Sequence, residues 1–239
     1  MKTPFVPFLL VGLGEAWLAT ILPTWAAWPM GWVAASTLWT ALAYALNRPR
    51  MLGKKDAPAV AAVLLAPVLL FARGAAVLVR RHDQRELGPE RGGERVEIVP
   101  GLWVGGWPRH GAPGLAQIDL TAELPRRGEA ARYACIPMLD GAPMSEGRFH
   151  AAVKLALGWR AEGVPVLIHC AYGHGRSVAV LIGVLVAEGH FASWPAAFDH
   201  VRSLRPRARL TQAQRAVVEA CVPPRDAGAT PSRTATLPA

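Results

Sequence analysis

From Phe5 to Val79 apolar residues dominate, with Asn47 to Asp56 as the main polar interruption; beyond Arg80 the pattern changes to short apolar runs broken by charges and turns. The front block divides into three apolar stretches, Phe5 to Leu22, Ala26 to Leu46 and Ala59 to Val79. Each approaches the ~20 residues that a helix needs to cross a bilayer. The second is the surest span because it is uncharged. Trp17, Trp25, Trp28, Trp32 and Trp39 accompany the first two, several where interfacial belts are expected. A cleaved signal peptide is the competing reading of the first stretch. Against it, no basic n-region exists beyond Lys2, and a second span follows within a few residues.

The third stretch is harder to orient. Arg48, Arg50, Lys54 and Lys55 precede it, Arg80, Arg81 and Arg85 follow it, Pro67 lies at its centre and Arg73 within it. If it spans, one basic cluster is translocated against the positive-inside tendency. One arrangement satisfies every charge: the first two segments form a hairpin turning at Pro23 to Trp25, and the third lies in the interface or dips in and returns at Pro67. Both termini are then cytosolic. A plain three-span arrangement is the alternative, since arginine can snorkel and proline is tolerated in membrane helices.

The rest of the pattern predicts an α/β domain. His82 to Val96 is polar and glycine-bearing and reads as a linker. Glu97 to Gly106 reads as two short strands about a Pro-Gly turn, with further strands at Ala116 to Ala122 and Arg132 to Met138. Ser145 to Gly163 is a helix with an N-cap serine and a closing glycine, and the wholly apolar Val164 to His169 is a buried parallel strand. Helices are expected at Ser177 to Glu188, Trp194 to Ser203 and Thr211 to Cys221. The domain organisation is thus a membrane region over 1–81, a linker over 82–96, a globular domain over 97–222 and a disordered tail over 223–239, rich in Pro, Ala, Ser and Thr.

Composition sharpens this. The chain is 52% hydrophobic with a mean hydropathy of +0.23, which excludes a purely soluble protein. Six Lys or Arg against two acids lie before Arg80, and twenty against fifteen follow, so the net charge of +9 is spread along the chain. A nucleic-acid binder would concentrate it on one recognisable element; basic residues beside apolar spans fit anionic lipid better. Cys135, Cys170 and Cys221 are too few and scattered for a disulfide framework.

Chemistry is concentrated in His169-Cys170-Ala171-Tyr172-Gly173-His174-Gly175-Arg176-Ser177, which leaves the buried strand and enters a helix. A loop with two glycines at a helix N-terminus can aim its backbone N–H groups at one point, forming an anion nest that suits phosphate. Ala171, Tyr172, Gly173, His174 and Gly175 supply those groups. Cys170 lies at the base of the nest, where the amides, the helix dipole and Arg176 favour its thiolate. Arg176 can grip two phosphoryl oxygens in a bidentate fork, and Ser177 can donate a hydrogen bond to the sulfur when it leaves.

At this point the sequence resembles the cysteine-based phosphatases with the HCxxGxxR signature, and within them the dual-specificity type. The resemblance covers roughly Val96 to Val222 and rests on GLWVGG (Gly101 to Gly106), DLTAE (Asp119 to Glu123), YACIPMLD (Tyr133 to Asp140), HCAYGHGRS and RPRARLTQAQ (Arg205 to Gln214). It looks most like the branch with phosphatidylglycerophosphate phosphatase and bacterial membrane-attached relatives. The resemblance implies a tyrosine-phosphatase-like mixed sheet flanked by helices, a phosphocysteine intermediate, a general acid on a loop upstream of the cysteine, and no metal or other cofactor. Asp140, thirty positions before Cys170, is the candidate acid. A turn-forming role with Gly141 is the plainer alternative, and Asp119 and Glu123 are the substitutes, otherwise structural.

Other residues are weighed singly. His169 is expected to orient the loop and support the thiolate. Tyr172 and His174 either lend only their amides, or His174 touches a substrate head group. Cys135 reads as a small buried hydrophobe, and Cys221 could in principle resolve an oxidised Cys170. Arg202, Arg205, Arg207 and Arg209 read as a solvated helix end and loop. The nest carries no lysine, which disfavours highly charged inositol phosphates. The expected function is a membrane-anchored phosphomonoester phosphatase acting on a phospholipid head group, in the inner or plasma membrane with its catalytic domain cytosolic. A protein phosphatase acting on phosphotyrosine or phosphoserine/threonine, and a non-catalytic phosphate-binding membrane module, are the alternatives. The expected partners are membrane lipid and a phosphorylated lipid or phosphoprotein, without nucleic acid.

Overall fold

The computed structural model of the chain describes residues 5–53 and 59–223, with backbone alone at 59–61. Lys54 and Lys55, and all but the first residue of the tail expected to be disordered, lie outside the described residues. The chain forms two compact units, one of residues up to Val77 with 122–125 and 137–143, the other of residues 78–121, 126–136 and 144 onward.

In the first unit, α1 (Phe5–Ile21) and α2 (Thr24–Ala45) form the expected hairpin, separated by Leu22 and Pro23. Proline suits a helix entry because its missing N–H would have no partner there. Small residues let the pair approach closely: a Cβ on Gly12 would stand 2.8 Å from the Leu38 side chain. Phe8 and Tyr44 meet with ring centroids 5.1 Å apart. After a 3₁₀ turn (Pro49–Leu52) comes α3 (Ala59–Arg91). Trp32 Nε1–H donates to the carbonyls of Val63 and Leu64 at 3.1 and 3.2 Å, and Trp39 Nε1–H to that of Met51 at 2.9 Å. Leu10, Trp17, Trp25, Trp28 and Phe71 stand on the surface, an apolar exterior that water does not favour.

Three expectations change here. The third apolar segment does not return at Pro67: α3 runs through it without a break. Its flanking residues are good helix formers, and a proline removes only one backbone donor from a helix. Among the described residues this is also the one helix both long and apolar enough to cross a bilayer, over Ala62–Arg91, in place of the second segment. The second is diluted by Thr24, Ser36, Thr37 and Thr40, whose hydroxyls partly turn back to the helix carbonyls. Moreover, residues 82–91 are helical where a linker was expected. The helix breaks only at Gly88, whose φ of 77° and ψ of 171° are open to glycine and which Pro89 holds extended.

The second unit is built on a mixed five-stranded sheet in the order β1-β2-β5-β3-β4, from β1 (Arg95–Val99), β2 (Leu102–Gly105), β3 (Gly111–Thr121), β4 (Glu129–Met138) and β5 (Val166–His169). β1 and β2 pair antiparallel about the Pro100-Gly101 turn, and β5 runs parallel to both β2 and β3. The apolar run of β5 is buried throughout, as a central parallel strand must be. In this register Gly105, His169 and Asp119 stand side by side at the carboxyl ends of three strands. Ligand sites of open α/β sheets form there.

Helices α4 (Glu146–Ala161), α5 (Arg176–Ala187), α6 (Trp194–Leu204) and α7 (Gln212–Cys221) complete the unit. α5 is apolar all round because it is buried from Arg176 to Val186. A capping box between Thr211 and Gln214 starts α7. Where α5 crosses α4, a Cβ on Gly183 would stand 2.8 Å from both Phe149 Cζ and Val153 Cγ2. Gly183→Ala sets a helix-propensity gain of about 1 kcal/mol against overpacking of about 1–3 kcal/mol. The crowding side chains are buried and cannot swing away, so a net loss of stability is expected, read as a lower midpoint of thermal unfolding in detergent.

Candidate active site

β5 ends at His169 and α5 starts at Arg176, so the loop between them crosses from the edge of the sheet to a helix N-terminus in six residues. Cys170 is the first of these and is 2% exposed. Its Sγ accepts from the Gly173 N–H at 3.2 Å and lies 3.3 Å from Ser177 Oγ. The Ser177 hydroxyl thus stands beside the sulfur. Gly173 has a φ of 74°, and a Cβ there would stand 2.5 Å from the Gly105 backbone and 2.7 Å from the Arg205 guanidinium. Glycine is required at this point by conformation and by space alike.

Four successive carbonyls of the loop point outward, each to a specific donor. Trp107 N–H donates to Ala171 O at 3.1 Å, and the Arg209 N–H to His174 O at 2.8 Å. Arg205 takes the two between them, Nη2 donating to Tyr172 O at 3.0 Å and Nε to Gly173 O at 2.8 Å, while Nη1 reaches Gly93 O at 3.1 Å. Arg205 is 3% exposed, which corrects the reading of this basic run as wholly solvated. Burial lowers its pKa from the ordinary value, and the Cys170 and Asp83 side chains oppose that. The pattern offered a signal in hindsight: Arg205 sits beside Pro206 after a helix end, where the chain must turn back towards the loop.

Arg176 is buried at the start of α5, and its Nη1 lies 3.5 Å from Leu120 O. Asp119 is fully buried; it accepts from Thr121 N–H and Oγ1 at 2.9 and 2.8 Å and from the Tyr133 hydroxyl at 2.8 Å. Burial first, then the Asp119 charge, pushes the Tyr133 hydroxyl far up, so it stays a donor. His169 Nε2 stands 3.9 Å from Asp119 Oδ2. The aspartate thus ties the end of β3 to β4.

His174 resolves its two alternatives differently from either. Its ring does not stand free: Nε2–H donates to Asp83 Oδ2 at 2.7 Å, both residues being buried. Asp83 lies in the helical segment that was expected to be a linker, and periodicity alone gave no signal for it. Burial, foremost, holds the His174 imidazole below its usual range; Asp83 opposes, and Arg205 and Arg209 add to the lowering.

The upstream candidates Asp140 and Glu123 belong to the first unit. Glu123 Oε2 accepts from the Ala122 N–H at 2.9 Å. Around Asp140, Leu139 and Ala142 are buried with Ala122, Ala43 and Leu52, and Asn47 Nδ2–H donates to Pro143 O at 3.0 Å. Cys135 is buried with its thiol 3.8 Å from Thr121 O, as a small core residue. Burial, and then Glu146, pushes the Cys221 thiol up, against the thiolate a resolving cysteine needs.

No family model matches the chain. Among curated proteins it is similar to dual specificity protein phosphatase 12 of Mus musculus, 31% identical over 133 residues, 50% of this chain and 39% of that protein. It is also similar to phosphatidylglycerophosphate phosphatase PTPMT2 of Arabidopsis thaliana, 46% identical over 57 residues, 24% of this chain and 25% of that protein. The chain therefore spans well under half the length of these relatives. Solved structures similar to it include human DUSP28, at 19% identity with a TM-score of 0.46 over 53% of this chain and 91% of that one. PTPMT1 in complex with PI(5)P aligns at 15% identity with a TM-score of 0.43, over 53% of this chain and 93% of that one. The unit that carries Cys170, its cysteine loop seated between a buried parallel strand and a buried helix, is thus similar, over about half of this chain, to cysteine-based phosphatases of the dual-specificity type.

Proposed function

We propose that the chain is a membrane-attached phosphomonoester phosphatase that works through a phosphocysteine on Cys170. The observation that carries this is the seating of Sγ, beneath an inward N–H of Gly173 and against Ser177 Oγ at the N-terminus of a buried helix. The Cys170 thiolate attacks phosphorus as the ester oxygen leaves, and Asp140 gives that oxygen its proton. Loop amides and the Arg176 fork hold the three remaining oxygens, whose charge is greatest in the transition state. Water then attacks the phosphocysteine, Asp140 takes a proton back, and Sγ departs as a thiolate that Ser177 stabilises by donation. Inorganic phosphate is released and the enzyme is restored.

A phospholipid head group is the substrate we favour. The apolar exterior of the first unit holds such molecules at high local concentration. The loop has no lysine for a polyanion, and one of the curated relatives is named for action on phosphatidylglycerophosphate. A protein substrate is the second reading, favoured by similarity to a dual specificity protein phosphatase. A panel of phosphatidylglycerophosphate, phosphatidate, phosphoinositides and phosphopeptides, assayed in detergent, separates them. Hydrolysis of the phosphopeptides alone would refute the lipid reading.

We place the phosphatase domain in the cytosol, where a reactive thiol is kept reduced. The connector after α2 packs on the Asp140 loop through Asn47 and Leu52, which supports a reading in which both lie on one side of the bilayer and α3 lies in the interface instead of crossing it. Single cysteines at Lys54 and Ser232, in a background without reactive native thiols, are both expected to resist an impermeant maleimide until cells are opened. Labelling of Ser232 alone in intact cells would establish an external domain.

Cys170→Ser is expected to abolish turnover while keeping affinity for phosphate analogues, because the nest is made of backbone. Normal phosphate release by that variant would sink the covalent mechanism. Arg176→Lys is expected to lose much more than tenfold in kcat/KM, since a point charge cannot replace the fork. Asp140→Asn is expected to slow alkyl phosphates far more than aryl phosphates, whose leaving oxygen needs no proton, and to flatten the high-pH limb of the rate profile. If Glu123→Gln flattens that limb and Asp140→Asn does not, the acid is Glu123.

A further inference from the structure

The phosphate loop is supported on one flank by the helix that enters the second unit. Asp83 stands at 4% exposure and His174 at 6%, joined at 2.7 Å between Oδ2 and Nε2. A carboxylate so placed is costly unless its partners are fixed. It has two: His174, and Arg207, whose Nε lies 3.3 Å from Oδ1. Arg207 also pairs with Glu86 one turn further along the same helix. The backbone on either side of His174 is tied as well, through Gly173 O to Arg205 and His174 O to the Arg209 N–H. The imidazole therefore crosses from the nest to another element and is held there by a buried carboxylate.

We propose that Asp83 and His174 are positioning residues, a buried latch by which the end of α3 fixes the conformation of the phosphate loop. The latch acts through His174 on the peptides at Gly173, Gly175 and Arg176, whose N–H groups must converge on the bound oxyanion. Misaim of those donors weakens every charge-assisted bond they make. Asp83 touches no substrate in this role. It makes residues 78–91 part of the phosphatase domain, so that a catalytic fragment cut at the start of the sheet lacks a support of its own active site.

The groups facing His174 are Asp83 and, beyond it, Glu86 from α3, and Arg205, Arg207 and Arg209 from the segment after α6. Among these cations and with its ring buried, the imidazole is held neutral, its Nε2–H donating to the carboxylate. Because burial depresses its pKa, the stability contributed by the neutral ring is complete above the ordinary imidazole range, about 6.5. It is lost as pH falls below that range. Loop order, and with it oxyanion affinity, weakens on the acid side.

This inference rests on the loop being an oxyanion site, and binding of tungstate to the full chain in detergent reads the loop without turnover. Asp83→Asn and His174→Asn are each expected to weaken tungstate about tenfold and to lower kcat/KM by a similar factor, with His82→Ala on the exposed side of the same helix unchanged. The double variant is expected to be no weaker than the worse single, since either change removes the same contact. His174→Gln, which retains a donor, is expected to recover most of the loss. In the wild type tungstate affinity falls between pH 7 and 5, and in His174→Asn that dependence flattens; the wild-type profile needs no variant to fold. Singles within twofold of wild type, losses that multiply in the double, or a wild-type profile no steeper than that of His174→Asn would each overturn the latch. Tungstate binding without phosphate release would refute the activity proposed above and leave the latch standing. No binding by the wild type would refute both.

Discussion

A loop that turns the Gly173 N–H inward on the Cys170 sulfur turns the carbonyls around it outward, and each buried carbonyl left without a donor costs about 1–3 kcal/mol. The rest of the second unit is arranged around that requirement. Ala171 O, Tyr172 O, Gly173 O and His174 O are met by Trp107, Arg205 and Arg209, from two segments remote in sequence. One guanidinium serves two adjacent carbonyls and a third at Gly93, a geometry that the five-donor planar fork allows and an ammonium would not reproduce. The inward face is thereby free to hold charge.

The same requirement explains which neighbours are small. Gly105 and Gly173 meet where the end of β2 passes beneath the loop, so closely that a side chain on Gly173 would collide with the Gly105 backbone. Trp107, 2% exposed, then closes that edge: its N–H serves the loop and its carbonyl accepts from Arg80 Nη1 at 3.2 Å. The Arg127 guanidinium lies 4.0 Å over its ring. A residue that composition alone would group with the membrane tryptophans is instead a brace between α3 and the active site.

Local signals made most of the architecture legible. The all-apolar VLIH run, the capped Thr211 helix and the HCxxGxxR spacing are each written within a few residues, and each forms within a few residues of where the pattern put it. What was illegible is long-range. Asp83 reads as one more charge in a polar stretch, because nothing within its helix shows that His174, ninety-one positions later, will bury it. Arg205 looks like its neighbours Arg202 and Arg207 until the loop's carbonyls are seen. The third apolar segment misled for a different reason: Pro67 was read as a break, whereas a single proline in a long apolar helix is absorbed by the turns around it.

These long-range contacts change what the segment after α3 must be. An exposed pair such as His82 with Glu86, 61% and 50% exposed, contributes at most about 1 kcal/mol and would suit a tether. Removing one partner of a buried charged contact costs about 3–5 kcal/mol, against about 5–15 kcal/mol for the whole stability of a typical domain. Asp83 is of the second kind, and it is joined to the loop that holds Cys170. A free linker would gain nothing from burying a carboxylate there. The burial is intelligible if residues 78–91 fold with the sheet of the second unit as one piece, so that this end of α3 is itself a wall of the Cys170 loop.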